Sequence, residues 1–349
     1  MFDSVIIRNY RGLRYASIDG FKRINIFFGK NNCGKSSVLE AILLVAGQSN
    51  PSLPFKANAL RGINRLSEQT TTIDFYGADP RNAINVSAKG KPSRDLLIEM
   101  IRPDSQNINI NDLNSGTSDV KQKQFGLKAT YKLNGEDITY SSRFIVSESN
   151  SEQGRNIVDK RYSENLNCLL IGANSYRYDI IELFSNVVKN KREQEIFSIL
   201  RIIEPHLKDL QLVDNDIMAD VGFPQRLPIN VLGDGFRKVL RIVLSIYEYA
   251  NGIVLIDEMD NGLHYSVMQN LWEAIFDAAR KYNVQLFVST HSIDLLRSLV
   301  HFLDTSSKTD YQSDVSAYKL FRKEDDEILA IHYDYTKMAY SVTQEIEMR

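Results

Sequence analysis

The chain has 349 residues, a formal net charge of −2, and 43% hydrophobic and 25% charged residues, an ordinary globular composition that excludes a disordered or fibrous chain. The near-neutral charge gives no overall basic footprint, so nucleic-acid binding is not indicated, and the two cysteines, Cys33 and Cys168, lack the spacing of a zinc ribbon or a disulfide scaffold. Because no apolar run approaches about 18 residues and no signal peptide is recognisable, we expect a soluble, cytoplasmic protein without a membrane span.

The N-terminal stretch predicts a strand, a turn and a second strand, followed by a helix. The apolar pattern indicates a strand at Phe2–Ile7, a charged turn at 8–12 and a buried strand at Ile24–Phe28. From Lys35 the apolar residues recur at helical spacing as far as Gly47, a typical helix end. This order of strand, glycine-rich loop and helix is the one that a phosphate-binding loop requires.

The loop between that strand and helix reads GKNNCGKS at residues 29–36 and fits the pattern GxxxxGK[ST]. Glycines let backbone N–H groups curl round phosphates, and the helix N-terminus adds positive potential. We expect Lys35 to contact the β- and γ-phosphates of ATP and the Ser36 hydroxyl to bind Mg²⁺. A plain glycine turn before a core helix would not explain a lysine followed by two serines. The predicted nucleotide-binding residues of this loop are Gly29, Asn31, Asn32, Gly34, Lys35, Ser36 and Ser37.

The middle of the chain predicts antiparallel hairpins and then helices. Between residues 70 and 145, turn residues separate the alternating segments TTIDFYG, AINVSA, DLLIEMI, FGLKATYKL and ITYSSRFIV. The polar stretches 104–123 and 147–167 predict surface loops, which are candidate docking surfaces for a partner. From Tyr178 to Leu210 the apolar spacing is helical.

The last third of the chain predicts a return to alternating helices and strands. A helix is expected to begin at Phe236, after the tripeptide GDG, and a buried strand follows at Ile253–Ile256. A helix from Tyr265 to about Arg280 and a strand at Val284–Val288 come next. Apolar strands that alternate with helices are typical of a parallel sheet.

Charged and polar residues follow these two strands where ligands bind in open α/β sheets. Asp257 and Glu258 end the run Ile253–Ile256, and we expect Asp257 to orient Mg²⁺ and Glu258 to polarise the attacking water. Acids also begin ordinary loops after strands, so this interpretation depends on the phosphate-binding loop. His291, after the next strand, can donate a hydrogen bond to the γ-phosphate and sense its presence, although a single histidine is usually structural.

Taken together, these segments resemble the ABC-class ATPase heads of the SMC and OLD-nuclease type. They resemble most closely the stand-alone bacterial AAA family ATPases of the AbiEii-toxin-like group, over nearly the whole chain. The resemblance is carried by NYRGL, INIFFGKNNCGKSSVLEA, VLGDGFRKVLRIVL, GIVLIDEMDNGLHYSVMQNLW, QLFVSTHS and the closing EIEMR.

This resemblance implies an ATP site that a second copy of the chain completes. Where transporters have LSGGQ, this chain has LGDGF at 232–236, so the usual serine and one of the two glycines are replaced. In the family this loop, here Gly233, Asp234 and Gly235, reaches the γ-phosphate bound by the other subunit. Met259–His264 resembles the D-loop at that dimer seam, and Arg11 resembles a residue near the nucleotide. Either Gln48 or Gln69 would be the glutamine of the Q-loop.

The predicted fold class is α/β, a P-loop NTPase of the ABC/SMC-head type with an antiparallel β-rich insertion and a helical subdomain. We expect one ATPase head. Its parts are a P-loop lobe at 1–70, the β-rich insertion at 71–170, the helical subdomain with the signature loop at 171–235, and the lobe of the Walker B acids and switch histidine at 236–349.

The function that this pattern indicates is Mg²⁺-dependent ATP binding and hydrolysis that drives dimerisation of the heads and a conformational switch. The resemblance implies that the switch regulates a separate effector in a phage-defence or toxin–antitoxin-like system. The alternative is a scaffold that binds ATP, hydrolyses negligibly and assembles a partner. A nuclease is not favoured, because the RxxxxH match from Arg201 to His206 contains Pro205, which breaks the helix such a site needs.

Overall fold

The computed structural model describes residues 1–102, 124–133, 137–147, 150–172, 180–263 and 265–344. Its strands are β1 (Phe2–Tyr10), β2 (Leu13–Asp19), β3 (Ile24–Phe28), β4 (Ile84–Gly90), β5 (Arg94–Ile101), β6 (Gln124–Leu133), β7 (Tyr140–Ser147), β8 (Asn150–Ile157), β9 (Cys168–Ile171), β10 (Asp209–Val213), β11 (Asp216–Asp220), β12 (Leu227–Pro228), β13 (Ile253–Ile256), β14 (Gln285–Thr290), β15 (Val315–Arg322) and β16 (Glu327–Tyr333). Its helices are α1 (Lys35–Ala46), α2 (Leu53–Leu60), α3 (Glu68–Thr72), α4 (Ile180–Lys189), α5 (Glu193–Leu200), α6 (Asp234–Glu248), α7 (Tyr265–Lys281), α8 (Ile293–Asp304) and α9 (Tyr335–Thr343).

One large mixed sheet organises the fold. Over the described residues it has thirteen strands in the order β8-β7-β6-β5-β4-β1-β2-β16-β15-β3-β14-β13-β9. Strands β15, β3, β14, β13 and β9 run parallel to one another. Buried strands of a parallel sheet must be apolar on both faces, and β3 and β13 are buried along their whole length. This is the α/β architecture that the sequence predicts.

Helices cover both faces of the parallel half of this sheet. Alternate side chains of β3 point to opposite faces, so Phe27 packs in one hydrophobic core and Ile26 in the other. Helix α1 lies in the core that contains Phe27, whereas α6, α7 and α8 lie in the opposite one. Trp272 of α7 is fully buried there, and its indole N–H donates to the carbonyl of Leu295 in α8.

Strands β4 to β8 continue the sheet beyond β1 as antiparallel pairs. The pairs from β4 to β7 confirm most of the hairpins expected between residues 70 and 145. The segment 71–77, expected as a strand, instead contains the end of α3 and a turn of 3-10 helix. Ser67 and Thr70 explain this difference, because each side chain accepts a hydrogen bond from the other's backbone N–H at 3.0 Å, and such a capping box starts a helix.

Strands β2 and β8 are among those not expected from the sequence. The polar stretch 150–157 forms β8, which pairs with β7, so the loop expected at 147–167 is wrong over those residues. Leu13–Asp19 forms β2, which pairs antiparallel with β1, so the turn expected at 8–12 shrinks to a tight connection after Tyr10. In both cases pairing with a neighbouring strand satisfies the backbone of a segment that has little apolar pattern of its own.

The helical stretch expected at 178–210 ends earlier in the structure. Helix α5 stops at Leu200, and a small antiparallel sheet of β10, β11 and β12 begins at Asp209. Arg201 stabilises the turn between them, because its guanidinium donates to the carbonyls of Leu207 at 2.8 Å and Lys208 at 3.1 Å. Pro205 within this turn cannot continue a helix.

Several features named from the sequence lie outside the described residues. They are the polar loop 104–123, residues 178 and 179 of the helical stretch, His264 at the end of the D-loop and the closing EIEMR. Within the described part of the chain, no helix combines the length and apolar character that crossing a membrane requires.

Candidate functional site

The carboxyl ends of β3, β14 and β13 meet at one edge of the sheet. Phe28 of β3 lies opposite Thr290 of β14, and Val288 of β14 lies opposite Ile256 of β13. The residues that follow these strands therefore share that edge. They are the phosphate-binding loop after β3, the two acids after β13 and the STHS segment around the end of β14.

The phosphate-binding loop has a backbone that glycine permits. Gly34 is the N-cap of α1 and has a φ of +92°, and a Cβ at this position would lie 2.8 Å from the Leu13 side chain. Gly29 has a φ of +143°, and a Cβ there would lie 2.7 Å from the carbonyl oxygen of Leu320. Positive φ together with close packing leaves room only for glycine at these two places. The loop thus delivers the N-terminus of α1 to the sheet edge.

Lys35 lies beneath this loop. Its ammonium donates to the carbonyl oxygens of Gly29 and Lys30, both at 2.9 Å, and the residue is 9% exposed. A cation held at the start of a helix, inside a glycine-rich loop, is placed to neutralise phosphate charge. Cys33 of the same loop is buried, and burial raises the pKa of its thiol, so it packs as a small apolar side chain.

Ser36 and Asp257 join the loop to the end of β13. The Ser36 hydroxyl donates to Oδ1 of Asp257 at 3.0 Å, and the Ser289 hydroxyl at the end of β14 donates to the same oxygen. A hydroxyl and a carboxylate at this separation are ligands that Mg²⁺ accepts when substrate phosphates and water supply the rest. The residues present therefore fit an Mg²⁺–nucleotide site.

Glu258 sits on a backbone that is held from β14. Its φ is +50°, in the left-handed region that a side chain rarely adopts. The Ser289 hydroxyl accepts from the N–H of Glu258 at 2.8 Å, and the Ser289 carbonyl accepts from the N–H of Met259 at 3.0 Å. Strained backbone of this kind persists only where surrounding contacts over-determine it, and it clusters at functional sites.

His291 is oriented by an acid of the D-loop. Nδ1 of His291 lies 3.3 Å from Oδ2 of Asp260, and the Thr290 hydroxyl donates to the other oxygen of that carboxylate at 2.6 Å. The Asp260 side chain is 7% exposed, whereas that of His291 is 52% exposed. The ring is thus fixed at one nitrogen and open to solvent at the sheet edge.

The signature loop forms the N-terminus of α6. Gly233 is its N-cap, with a φ of +90°, and no heavy atom lies within 4 Å of where a Cβ would be. Asp234 is exposed, and its carboxylate pairs with Arg237 one turn later. Gly235 lies against Leu263 of the D-loop, with 3.7 Å between a Cβ position and the leucine side chain. The loop therefore presents an open helix start.

Arg11 lies at the β1–β2 turn beside the phosphate-binding loop. With Asn32, Gly34 and Ser37 it lines a cavity of about 370 Å³. Its guanidinium is 2.9 Å from Glu40 of α1 and 3.4 Å from Asp74. Burial raises the pKa of the Asp74 carboxyl to about 7, although Arg11 opposes that shift.

The two glutamines considered for the Q-loop lie in different surroundings. Gln48 is 1% exposed and donates to the Tyr162 hydroxyl at 3.2 Å, within the lobe of the antiparallel strands. Gln69 is an exposed residue of α3. Neither set of surroundings places a glutamine at the sheet edge where β3, β14 and β13 end.

Sequence reasoning missed three residues of this site: Ser289, Asp260 and Lys238. Ser289 and Asp260 belong to the STHS segment and the D-loop, both of which are named from the sequence. The available signal for Ser289 was a hydroxyl side chain near the end of a predicted strand. Lys238 gave none, because a lysine on a helix is usually exposed to solvent. The structure buries it to 4% exposure.

The two residues of the RxxxxH match do not share a helix, because α5 ends at Leu200 and both residues belong to the turn that follows it. Arg201 is engaged by the two carbonyls of its turn, and His206 is exposed. Over the described residues, no group of three or more His, Cys, Asp or Glu side chains is placed to hold a metal ion. The sheet edge is therefore the place where the described side chains converge.

Comparison with known proteins gives matches over most of the chain. The family described as "AAA domain, putative AbiEii toxin, Type IV TA system" matches residues 24–297. An "ATP/GTP phosphatase" of Helicobacter pylori is 27% identical over 88% of this chain and 91% of that protein. The "DNA replication and repair protein RecF" of Streptococcus thermophilus is 22% identical over 87% of this chain and 95% of that protein.

Among solved structures, an SMC head bound to the C-terminal winged-helix domain of ScpA has a similar fold. The TM-score is 0.51 and the sequence identity 11%, over 95% of this chain and 97% of that one. The family match covers more than half of the chain, and the solved structure shows that the fold is shared with an SMC head.

Replacing Gly34 with alanine tests the geometry of the loop. We expect Gly34→Ala to weaken binding of a fluorescent ATP analogue about 10-fold or more, because the new Cβ meets Leu13 and shifts the backbone that surrounds phosphate. Gly62→Ala is the matched control, since Gly62 has a φ of +82° but nothing within 4 Å of a Cβ. Equal affinity for the analogue in both variants would contradict this account of the loop.

Proposed function

The chain belongs to the AAA-domain family of putative AbiEii toxins of type IV toxin–antitoxin systems, and we propose on that premise that it binds ATP with Mg²⁺ and hydrolyses it. The observation that carries the proposal is the 3.0 Å hydrogen bond from Ser36 to Asp257. It joins the loop after β3 to the acids after β13, so phosphate-binding and metal-orienting groups share one site. The relative described as an ATP/GTP phosphatase supports the same chemistry.

In this proposal the loop and Lys35 bind the phosphates. The backbone N–H groups of residues 29–36 surround the β-phosphate, with Gly29, Asn31, Asn32 and Gly34 shaping the loop, and Ser37 and Arg11 line the cavity that leads away from it. Lys35 exchanges its two carbonyl acceptors for phosphate oxygens, which are stronger partners because they are charged.

Mg²⁺ would be held by Ser36 and Asp257, and it neutralises charge on the β- and γ-phosphates when bound. Ser289 keeps Oδ1 of Asp257 in place. Glu258, whose backbone is fixed by Ser289, accepts a proton from the attacking water at its carboxylate. These assignments give each of the two adjacent acids a separate role.

His291 would sense the terminal phosphate. Nδ1 of the ring faces Asp260, so Nε2 is the nitrogen left to donate to a phosphate oxygen. When the phosphate leaves, that contact is lost at a residue adjoining both β14 and the D-loop. This gives the D-loop a direct route by which to respond to hydrolysis.

A second copy of the chain would complete the site. Gly233, Asp234 and Gly235 form an open helix N-terminus, which favours an anion, and in the related ABC-class heads this loop meets the nucleotide of the other subunit. Val231, just before it, is 64% exposed, and an exposed apolar side chain at this position suits an interface. We therefore propose a homodimer that forms when ATP binds.

The dimer would act on a separate effector protein in the cytoplasm, in a phage-defence or toxin–antitoxin-like system. The family description and the SMC head bound to ScpA support a protein partner. The antiparallel strands β4 to β8 are a candidate docking surface. We retain the division into lobes at 1–70, 71–170, 171–235 and 236–349 as part of this proposal.

One observation favours the alternative, a scaffold that binds ATP with negligible turnover. Asp234 places a carboxylate at the tip of the signature loop, where a transporter has glycine, and its side chain is 78% exposed. A negative charge facing the γ-phosphate would weaken the contact from the second copy. This would slow hydrolysis without preventing nucleotide binding by the loop at 29–36.

Substitutions of Lys35 and Glu258 separate binding from hydrolysis. Lys35→Ala should weaken ATP binding about 10- to 100-fold, because a charge-assisted phosphate contact is lost. Glu258→Gln should bind ATP normally but release phosphate about 100-fold more slowly or worse, because water is no longer activated. Lys30→Ala, which removes an exposed lysine of the same loop, is the control for both assays. Undiminished turnover in Glu258→Gln would contradict the assigned role.

Dimerisation should depend on ATP. In light scattering, Glu258→Gln with ATP and Mg²⁺ should have about twice the 39.9 kDa mass of the chain, and with ADP the mass of one copy. The double variant that carries both Glu258→Gln and Lys35→Ala should not form the larger species, because it no longer binds nucleotide. An identical mass with ATP and with ADP would contradict assembly on ATP binding.

A further inference from the structure

A lysine is buried next to the catalytic segment. Lys238 belongs to α6, one turn after the signature loop that begins this helix, and it is 4% exposed. Burial of an ammonium is unfavourable unless hydrogen bonds replace its water. Burial lowers the pKa of Lys238 to about 8, while the charges of Asp260 and Glu258 oppose that shift. A group retained at this cost has a structural or functional reason to be there.

The contacts of Lys238 are with the backbone that follows Asp257. Its ammonium donates to the carbonyl oxygen of Asn261 at 2.6 Å and to that of Glu258 at 3.2 Å. The two carbonyls flank Met259 and Asp260. Lys238 of the signature helix therefore binds both ends of the segment 258–261, which contains the proposed water-activating Glu258 and Asp260, the partner of His291.

This segment needs support from more than one side. Glu258 has a φ of +50°, in the left-handed region that a residue with a side chain rarely adopts. From the sheet, Ser289 binds the N–H groups of Glu258 and Met259. From α6, the Lys238 ammonium donates to the carbonyl of Glu258. Contacts from β14 and from α6 thus meet on a single strained residue.

We propose that Lys238 is a positioning residue that ties the backbone of Glu258 to the signature helix, an inference that rests on the proposed ATP hydrolysis. The helix starts at Gly233–Gly235, where the second copy would bind. Movement of the helix start reaches Lys238 within one turn, and the hydrogen bonds of Lys238 to the carbonyls of Glu258 and Asn261 transmit it to the backbone of Glu258. The lysine thereby links contact with a second copy to the position of the carboxylate that activates water.

Substitution of Lys238 tests this link. Lys238→Met, which keeps the volume and removes the donor, should lower kcat for ATP about 10- to 100-fold, the size expected when a charged hydrogen bond to a catalytic segment is lost. KM for ATP should change less than about 2-fold, because the phosphate-binding loop is intact. Lys238→Arg, which can donate to both carbonyls, should recover most of kcat. Val243→Ala, a fully buried position on the same helix, is the control for loss of packing and should leave kcat unchanged.

Hydrogen exchange gives a readout that does not require activity. In Lys238→Met the amides of residues 258–263 should exchange faster than in the wild type, and in Lys238→Arg and Val243→Ala they should not. If Lys238→Met does not fold, Lys238→Gln should show the same local increase in exchange, because its side chain is uncharged and too short to keep both hydrogen bonds at full strength. Unchanged exchange in this segment would overturn the proposal.

The kinetic and exchange results separate the two proposals. If the wild type hydrolyses no ATP, the proposed function fails, whereas faster exchange confined to residues 258–263 still supports the link through Lys238. If the wild type hydrolyses ATP and Lys238→Met matches Val243→Ala in both kcat and exchange, the role of Lys238 is wrong and the proposed function stands.

Discussion

The parallel register of β3, β14 and β13 is the constraint on which the site depends. Because the strands are buried on both faces and aligned in register, their carboxyl ends stop at one level, and the segments that follow must meet there. Hydrogen bonds then fix the meeting point, with Asp257 receiving the hydroxyls of Ser36 and Ser289. A shift in the pairing of β14 would separate the phosphate-binding loop from the acids. The geometry of the site therefore depends on the register of the sheet.

A second layer of contacts turns this edge into a structure that can respond to a ligand. Ser289 of β14 and Lys238 of α6 bind the backbone of residues 258–261, and Asp260 within that segment lies beside His291. None of these three residues needs to contact nucleotide. Their arrangement means that a ligand at the sheet edge and a second copy at the helix start would act on the same few backbone groups.

Sequence alone predicted the parts of this fold that depend on local pattern. Local sequence patterns of a few residues predict the strand at 24–28, the helix from Lys35 and the strand at 253–256. The sheet edge that carries the candidate site could therefore be predicted from the sequence. What failed depended on contacts elsewhere. The alternation at 71–77 yields to the capping box of Ser67, β8 is a strand because β7 pairs with it, and Lys238 is buried because helix and loop meet in space.

The most direct test of the central claim is a crystal structure of the Glu258→Gln protein with ATP and Mg²⁺. The account predicts a metal ion held by the Ser36 hydroxyl and the Asp257 carboxylate. It also predicts that the Lys35 ammonium has moved from the carbonyls of Gly29 and Lys30 to phosphate oxygens. Nucleotide bound away from this edge, or metal bound without Ser36 and Asp257, would contradict it.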